Sequence, residues 1–423
     1  MNVFNPSLSY ARELDQKDEL AGYRDAFTIS DNDLIYMDGN SLGRLPKATV
    51  GRLEDIVKNE WGDRLINGWG EGWYDAPSCL GDKIGQVLGA AKGQVVIGDS
   101  TSVNLYKCVT AALRLNPGRV RIITDTLNFP TDIYTIKGAT DILDKGHQLY
   151  FVNSDDDITP DINELEKLLD ADTALLAFST PTFKSGYLYD IPAITRMAHE
   201  AGASVLWDFC HSAGVVPLKV DKWGVDFAVG CTYKYMNGGP GSPAFVYVRK
   251  ELQDEVSSPI QGWWGHAAPF DFDLNYEPSK GIQRFLAGTP PILSTMAVEP
   301  AVDMILEIGV DKIRNKSISL TDYMIQLFDA VLAPLGFALG TPRDAERRGS
   351  HVSIRHPEGY RISQAMIKDM NVIPDFREPD NVRLGLAPLY TSYADVWTAV
   401  KRIKLIMQDE LYTKYSEERS TVR

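Results

Sequence analysis

The chain has 423 residues, of which 44% are hydrophobic and 24% are charged, and this composition is typical of a globular protein with a large buried core. Its net charge of −14 argues against nucleic acid or an anionic membrane as a partner, because any anion would need a local binding site. No apolar run approaches the roughly 18 residues of a membrane span, and the N-terminus contains acids and lacks an apolar core, so we expect a cytoplasmic protein.

The cysteines and histidines carry no spacing that is typical of a metal or redox site. Cys79, Cys108, Cys210 and Cys231 are widely separated and form no CxxC pair, so we expect reduced, buried thiols with a structural role. The six histidines form no HExxH or similar motif, which predicts no catalytic metal. A GxxxxGK(S/T) loop is absent from the sequence as well, which argues against a nucleotide ligand.

The N-terminal part of the chain predicts helices separated by a turn. A helical stretch lies near residues 10–23, and Asp38–Asn40 is a turn signal after a short apolar run. Pro46 suits the first turn of a helix that continues to about Trp61. A Gly-rich segment with Trp69 follows, and such aromatic loops either cover a surface or line a pocket for a flat ligand.

From about residue 93 onward, strands and helices alternate along the chain. The predicted strands comprise residues 95–97, 120–124, 147–152, 174–179, 204–207, 225–229 and 244–248. The predicted helices between them comprise about residues 101–115, 128–145, 161–169 and 191–200. This alternation favours an α/β fold with a mostly parallel sheet that helices cover on both faces.

Beyond residue 248 the pattern changes to longer helices and fewer strands. Helices are predicted at about residues 291–309, 310–333, 360–370 and 393–411, and strands at residues 351–355, 372–376 and 382–386. We therefore predict three parts: an N-terminal segment (1–60) that packs with the small domain, a large domain (61–300) and a small α+β C-terminal domain (301–423).

Two side chains that could take part in catalysis lie at or after the ends of neighbouring predicted strands. Asp208 ends one apolar run and Lys234 comes shortly after the next, and ligands of open α/β sheets bind beyond the carboxyl ends of the strands. A desolvated lysine can form a Schiff base with the aldehyde of pyridoxal phosphate, whose ring nitrogen an aspartate keeps protonated. Taken singly, a helix-capping Asp208 and a surface Lys234 beside a turn are the more ordinary interpretations, and only the combination with the rest of the chain favours the catalytic one.

An anion site is predicted where Thr101 and Ser102 begin a helix. Free backbone N–H groups, two hydroxyls and the positive end of the helix dipole converge there. The alternative is an ordinary helix N-cap. Phe129, in the next strand-to-helix loop, is placed to lie against a pyridine ring, or else it is a hydrophobic staple.

At several places the sequence resembles the kynureninases, which are fold-type I pyridoxal phosphate enzymes of the aspartate aminotransferase superfamily. The resemblance implies an α/β large domain with a mostly parallel seven-stranded sheet and a small α+β C-terminal domain. The matching segments cover most of the chain in order: YMDGNSLG (36–43), EWGDRLINGW (60–69), STSVNLYK (100–107), NFPTD (128–132), WDFCHSAGVVP (207–217), GCTYKYMNGGPGSPAFV (230–246), GWWGH (262–266), RGSHVS (348–353) and VRLGLAPLYTSYADVW (382–397).

The resemblance also implies roles at the matching positions. Lys234 would carry pyridoxal phosphate as a Schiff base and then act as the base on the α-carbon, while Asp208 would hold the proton of the pyridine nitrogen. Trp263 and Thr289 would reach the cofactor across a homodimer interface. The implied cofactor-binding residues are Thr101, Ser102, Phe129, Pro130, Thr131, Asp132, Ser179, Asp208, His211, Tyr233, Lys234, Trp263 and Thr289.

The implied substrate is L-kynurenine, which would be hydrolysed between Cβ and Cγ to anthranilate and L-alanine in tryptophan degradation. Arg383 would bind the α-carboxylate, with Ser41 and Trp69 also on the substrate; the alternative for Arg383 is an ion pair with Asp380. Trp69 and Thr289 differ from the animal enzymes and suggest a preference for kynurenine over 3-hydroxykynurenine. Whether the product serves tryptophan breakdown or NAD biosynthesis stays open.

Some functional alternatives also stay open. Tyr233 is either a proton relay or a phosphate ligand only, and Phe183 departs from the expected polar residue and receives no role.

A cysteine desulfurase or a class V aminotransferase would share the fold, but a desulfurase needs a nucleophilic cysteine on a mobile loop. A non-catalytic module that binds pyridoxal phosphate would be expected to lack Lys234 or Arg383, and both are present.

Overall fold

The computed structural model describes residues 4–418. The helices are α1 (Leu8–Lys17), α2 (Lys47–Asp55), α3 (Ala76–Leu88), α4 (Thr101–Leu115), α5 (Pro130–Leu143), α6 (Ile162–Leu168), α7 (Ile191–Glu200), α8 (Val220–Trp223), α9 (Ile292–Ile308), α10 (Val310–Leu327), α11 (Gly359–Met370) and α12 (Tyr393–Gln408). The strands are β1 (Ile35–Tyr36), β2 (Val95–Ile97), β3 (Arg121–Asp125), β4 (Gln148–Val152), β5 (Thr173–Ser179), β6 (Ser204–Asp208), β7 (Phe227–Gly230), β8 (Phe245–Val248), β9 (Ala338–Leu339), β10 (His351–Arg355), β11 (Val372–Ile373), β12 (Asp375–Arg377) and β13 (Asn381–Gly385).

The large sheet has the strand order β2-β8-β7-β6-β5-β3-β4. Within residues 4–418 these seven strands run parallel except β8, which pairs antiparallel with both β2 and β7. The strands at the centre are fully buried, and apolar cores lie on both faces of the sheet, as a parallel sheet covered by helices requires. The predicted mostly parallel, seven-stranded sheet is confirmed.

The small domain is built on a second sheet of order β12-β13-β10-β9, which is antiparallel and has its own apolar core. In its register Asp375 lies opposite Arg383 on one side, and Ser353 lies opposite Arg383 on the other. The N-terminal segment joins this domain, because β1 pairs with β11 and the carboxylate of Asp15 accepts hydrogen bonds from the start of α12. The exact domain bounds stay a prediction.

Some predicted elements differ from the observed ones at their ends. The predicted strand at 372–376 is two short strands in different sheets, because Pro374 has no N–H group to continue a ladder. The predicted helix at 46–61 is regular only to Asp55 and continues as π-helical turns over Ile56–Arg64. The stretch predicted near 10–23 divides into α1 and a 3₁₀ helix, Ala21–Ala26.

The helical segment Val310–Leu335 is long and apolar enough to cross a membrane by length and composition. Its apolar side chains, among them Leu320, Met324 and Phe328, lie in the core of the small domain. Packing against the small sheet therefore accounts for its apolar character.

Candidate active site

A cavity of about 280 Å³ lies at the carboxyl ends of β5, β6 and β7, where the large sheet faces the small domain. Ser179 and Asp208 end adjacent strands and are paired in register, and Lys234 follows β7 by four residues. The position agrees with the general location of ligands in open α/β sheets. The residues that line the cavity are Ser41, Thr101, Ser102, Phe129, Thr131, Asp132, Ser179, Phe183, Asp208, Cys210, His211, Tyr233, Lys234, Arg377 and Arg383.

Lys234 contacts a buried histidine. Its Nζ lies 3.1 Å from Nε2 of His211, and His211 is 4% exposed. Burial and the positive charge of Lys234 hold the pKa of His211 well below its usual range, so the imidazole is neutral and its Nε2 accepts a hydrogen bond from the lysine. Nδ1 of His211 is buried and has no hydrogen-bond partner among the described residues.

Asp208 is buried and lies beside a second carboxyl group. One of its oxygens accepts a hydrogen bond of 2.7 Å from the backbone N–H of Cys210, which fixes the orientation of the carboxylate. Asp132, in the first turn of α5, hydrogen-bonds with Asp208. Burial and the charge of Asp208 raise the pKa of Asp132 well above its usual value, which favours the protonated form of Asp132.

The start of α4 forms a cradle for an anion. The cap of this helix is Ser100, whose Oγ accepts a hydrogen bond of 3.4 Å from the N–H of Val103. Thr101 and Ser102 are therefore the first two residues inside the helix rather than its cap, and both line the cavity. Their hydroxyl groups and the positive end of the helix dipole are available to a phosphate.

Arg383 lies on β13 and is 2% exposed. Its Nε donates a hydrogen bond of 2.6 Å to the carboxylate of Asp375, and its Nη1 donates to the backbone carbonyl of Phe183. The alternative of an ion pair between Arg383 and Asp380 is wrong, because Asp380 accepts from Arg355 at 3.1 Å instead.

Ser41 lines the cavity beside Arg383. Nη2 of Arg383 lies 3.3 Å from its Oγ, so the N-terminal segment contributes to the site beside the arginine. The RGSHVS segment contributes indirectly, since Ser353 and His351 both contact the backbone carbonyl of Lys184, next to Phe183. The loop that carries Phe183 is thus held by the small sheet.

Sequence comparisons match the chain with one enzyme family. A family model described as the kynureninase C-terminal domain matches residues 313–403. A kynureninase from Pseudomonas fluorescens is 43% identical over 406 residues, which cover 95% of each chain. A kynureninase from Burkholderia pseudomallei (strain 1106a) is 42% identical over 407 residues, which cover 95% of this chain and 96% of that one. The chain belongs to the kynureninase family.

Solved structures extend the likeness of this kynureninase family member to more distant enzymes. A cysteine desulfurase from Thermococcus onnurineus NA1 superposes with a TM-score of 0.79 at 20% identity, covering 92% of this chain and 98% of that one. The cysteine desulfurase CsdA from Escherichia coli gives 0.78 at 18% identity, covering 96% and 99%. At this identity the likeness shows the fold alone, and the predicted fold type I is confirmed.

The predicted ring-stacking residue lies at the mouth of the cavity. Phe129 is 39% exposed and packs edge to face against Phe183, with 5.3 Å between the ring centroids. Phe183, Cys210 and Arg377 line the cavity without having been predicted to do so. A signal was available for Cys210, which lies between the predicted Asp208 and His211, whereas nothing local to Phe183 or Arg377 distinguishes them.

Some residues implied by the kynureninase resemblance do not line this cavity in the part of the chain that the structure describes. Pro130 is the first residue of α5 beside Phe129. Trp69 packs against Trp264, with 5.2 Å between ring centroids, and Trp263 also packs against Trp264, at 4.7 Å. Thr289 is exposed in the loop before α9. The roles predicted for these residues stay predictions.

The expectation of four buried thiols is wrong for Cys79, which is exposed, whereas Cys108, Cys210 and Cys231 are buried. Cys79 lies within α3 rather than on a loop, so a regular helix carries the exposed thiol. Within residues 4–418, His, Cys, Asp and Glu form no group of three or more that could hold a metal ion.

The cavity fits pyridoxal phosphate by its donor set. Lys234 provides an amine, Asp208 a buried carboxylate for a ring nitrogen, and the start of α4 an anion cradle. The unpartnered Nδ1 of His211 provides a further polar atom beside Lys234. These groups are the ones that an aldehyde, a pyridine ring and a phosphate need.

Proposed function

We propose that the protein is a kynureninase, a pyridoxal phosphate enzyme that hydrolyses the Cβ–Cγ bond of L-kynurenine to give anthranilate and L-alanine. The observation that carries this proposal is that one cavity joins Lys234, the Asp208–Asp132 pair and Arg383. The near-full-length similarity to curated kynureninases supports the choice of reaction. We place the reaction in cytoplasmic tryptophan degradation.

The cavity residues divide into those that hold the cofactor and those that hold the substrate. Lys234 would hold pyridoxal phosphate through Nζ, and Asp208 would keep the ring nitrogen protonated. Thr101, Ser102 and Thr131 would bind the phosphate at two helix starts, with Ser179, Asp132 and His211 around the ring and Phe129 against it. When bound, pyridoxal phosphate supplies an electron-withdrawing ring that stabilises negative charge on the amino-acid carbons.

The substrate would be fixed at its α-carboxylate by Arg383, because a guanidinium matches a planar carboxylate with parallel hydrogen bonds. Once its amine is free, Lys234 would remove the α-proton. Because His211 is neutral, its Nε2 can accept a hydrogen bond from the amine of Lys234, and the imidazole does not take the proton that the amine removes. A water molecule then provides the oxygen that joins Cγ as the Cβ–Cγ bond breaks, and Cβ gains a proton.

Tyr233 is our candidate for the donor of that proton. The neighbouring Cys231 and burial raise the pKa of Tyr233, so the phenol keeps its proton near neutral pH and can give it to a developing carbanion. Tyr233 also lies in the wall of the cavity next to Lys234 in sequence. A role in phosphate binding alone is the alternative.

We infer a homodimer from an exposed apolar patch of Trp263, Phe270, Phe272 and Leu274. Trp263 is 38% exposed and Phe272 is 76% exposed, and contiguous exposed apolar groups of this kind are typical of protein interfaces. In the dimer, Trp263 and Thr289 would reach the partner's cavity, and Trp69, through its packing on Trp264, would act with them. Trp69 and Thr289 would favour L-kynurenine over its 3-hydroxy form.

The test is to incubate the purified, pyridoxal phosphate-loaded protein with L-kynurenine and to measure fluorescent anthranilate and L-alanine. We expect the two products in equal amounts, with a lower rate on 3-hydroxykynurenine. A cofactor-loaded protein that makes no anthranilate refutes the proposal. Release of sulfur from L-cysteine, or transfer of the amino group to pyruvate, would then identify a desulfurase or an aminotransferase.

A further inference from the structure

A second guanidinium lies in the cavity beside Arg383. Arg377 lines the same cavity as Arg383 and Lys234, and it is the last residue of β12. Asp375 and Arg377 are two residues apart on this strand and so lie on one face of the sheet, and Asp375 lies opposite Arg383 in the register. The small sheet therefore presents two arginines and one aspartate together.

Asp375 joins the two arginines. Its Oδ2 lies 2.6 Å from Nε of Arg383 and 3.2 Å from Nη2 of Arg377, and its side chain is fully buried. A shared carboxylate is a physical reason why two guanidinium groups can lie this close, since it offsets one of the two positive charges. The cluster of Asp375, Arg377 and Arg383 keeps a net charge of about +1, which matches a single carboxylate.

The positive charge of Arg377 acts on a titratable residue inside the cavity. Besides burial, the positive charges of Lys234, Arg383 and Arg377 all lower the pKa of His211, the residue whose ring contacts Lys234. Arg377 is also more exposed than Arg383, with 37% of its side chain accessible compared with 2% for Arg383. Arg383 is thus buried in the wall of the cavity, and Arg377 lies nearer to solvent.

We propose that Arg377 is a second substrate-binding residue, which acts with Arg383 on the α-carboxylate of the amino-acid substrate and makes the cavity selective for it. The inference rests on the proposed function, since it assumes an α-amino acid bound at this cofactor site. Asp375 is then a positioning residue that holds both guanidinium groups toward one carboxylate.

The experiment compares one ligand that has the carboxylate with one that lacks it. Holoenzyme carrying Arg377→Gln is titrated with L-alanine, the proposed product, and with kynuramine, the substrate amine without its carboxylate, and cofactor absorbance reports binding. We expect the Kd for L-alanine to rise about tenfold and the Kd for kynuramine to change less than about twofold. Arg377→Lys, which keeps the charge, should lie between Arg377→Gln and wild type in its L-alanine affinity.

Arg355→Gln is the matched control, because Arg355 lies on the same sheet, pairs with Asp380 and is not among the residues that line the cavity. It removes the same charge, and we expect neither Kd to change. Equal weakening of both ligands in Arg377→Gln, or no weakening of either, overturns the inference. If Arg377→Gln does not fold, Arg377→Met is titrated in its place, and its Kd changes for L-alanine and kynuramine are compared in the same way. A wild-type enzyme that makes no anthranilate refutes the proposed function, but the changes in Kd for L-alanine and for kynuramine can still be measured and compared.

Discussion

Asp132 and Asp208 hydrogen-bond with each other inside the cavity, and both carboxyl groups are buried. Burial and the neighbouring charge of Asp208 raise the pKa of Asp132 well above its usual value. Two carboxyl groups in contact cannot both ionise in a buried site, so one acts as an acid that donates a hydrogen bond and the other as its acceptor. The two residues therefore have different parts in the proposed reaction.

Replacement of the two aspartates by asparagine should accordingly have unequal effects. Asp208→Asn removes the charge that would keep the ring nitrogen protonated, and we expect kcat/KM for L-kynurenine to fall about a hundredfold or more. Asp132→Asn replaces a neutral hydrogen-bond donor by another, and we expect a loss of less than about tenfold. Steady-state kinetics of the two variants measure these losses, and equal losses would contradict different roles for the two carboxyl groups.

Lys234 is expected to be the residue that holds the cofactor. Lys234→Ala should reduce kcat by about 10³-fold or more, because both the covalent attachment and the base on the α-carbon are lost. Borohydride treatment followed by mass spectrometry of peptides should find pyridoxyl on Lys234 in the wild type and on no lysine in the variant. Lys219→Ala, at an exposed lysine, is the control and should keep both the label and the activity.

Tyr233→Phe separates proton transfer from phosphate binding. If the phenol gives a proton to Cβ, kcat should fall about a hundredfold, and the pH profile of kcat should change because the donor is lost. If Tyr233 only binds phosphate, the Kd for pyridoxal phosphate rises while kcat at saturating cofactor keeps its value and its pH dependence. Tyr134→Phe, on the exposed side of α5, serves as the control.

The sequence predicted the part of the site that lies at strand and helix ends of the large domain. Ser179 and Asp208 end buried strands, Lys234 follows another and Thr101 begins a helix, so their common location follows from the topology of a parallel sheet. Arg377 and Phe183 were missed, because their place in the cavity depends on how the small sheet packs against the loop after β5. No local periodicity carries that information.

The same reasoning explains why the single strand predicted at 372–376 was wrong while the large sheet was predicted correctly. The alternation of apolar runs and helices along the chain predicts a sheet that is covered by helices. It does not show that residues 372–376 divide between two sheets, because that division depends on one missing N–H group, at Pro374. Trp69, Trp263 and Thr289 were assigned from family resemblance. Within the described residues of one chain they lie outside the cavity, and a second subunit is the test of their role.

A mixed dimer tests whether Trp263 acts in the partner's site. Subunits with Lys234→Ala and subunits with Trp263→Ala are co-expressed with different tags, and the hybrid dimer is purified. If Trp263 crosses the interface, the hybrid contains one site with both an intact Lys234 and an intact Trp263, and we expect about half of wild-type activity per dimer. If Trp263 acts within its own chain, the hybrid has no intact site and shows no more activity than the Trp263→Ala homodimer contributes.

Asp125 provides a prediction on stability that is independent of the reaction. It ends β3, is fully buried and accepts a hydrogen bond of 2.8 Å from the hydroxyl of Tyr189, and burial raises its pKa to about 6. The pKa of Asp125 in the folded protein therefore lies above its value of about 3.9 in the unfolded chain. The stabilisation that results is complete below a pH of about 3.9 and is lost as the pH rises through 6.

In Asp125→Asn this part of the pH dependence should disappear, because the amide stays neutral and its oxygen still accepts from Tyr189. We expect the free energy of unfolding of the variant, relative to wild type, to increase by about 2–3 kcal/mol between pH 4 and pH 7. Urea unfolding followed by tryptophan fluorescence at several pH values measures this difference. Asp141→Asn, at an exposed carboxylate on α5, controls for the change in net charge. A difference between Asp125→Asn and wild type that is constant with pH would show that the pKa of Asp125 is not raised in the folded protein.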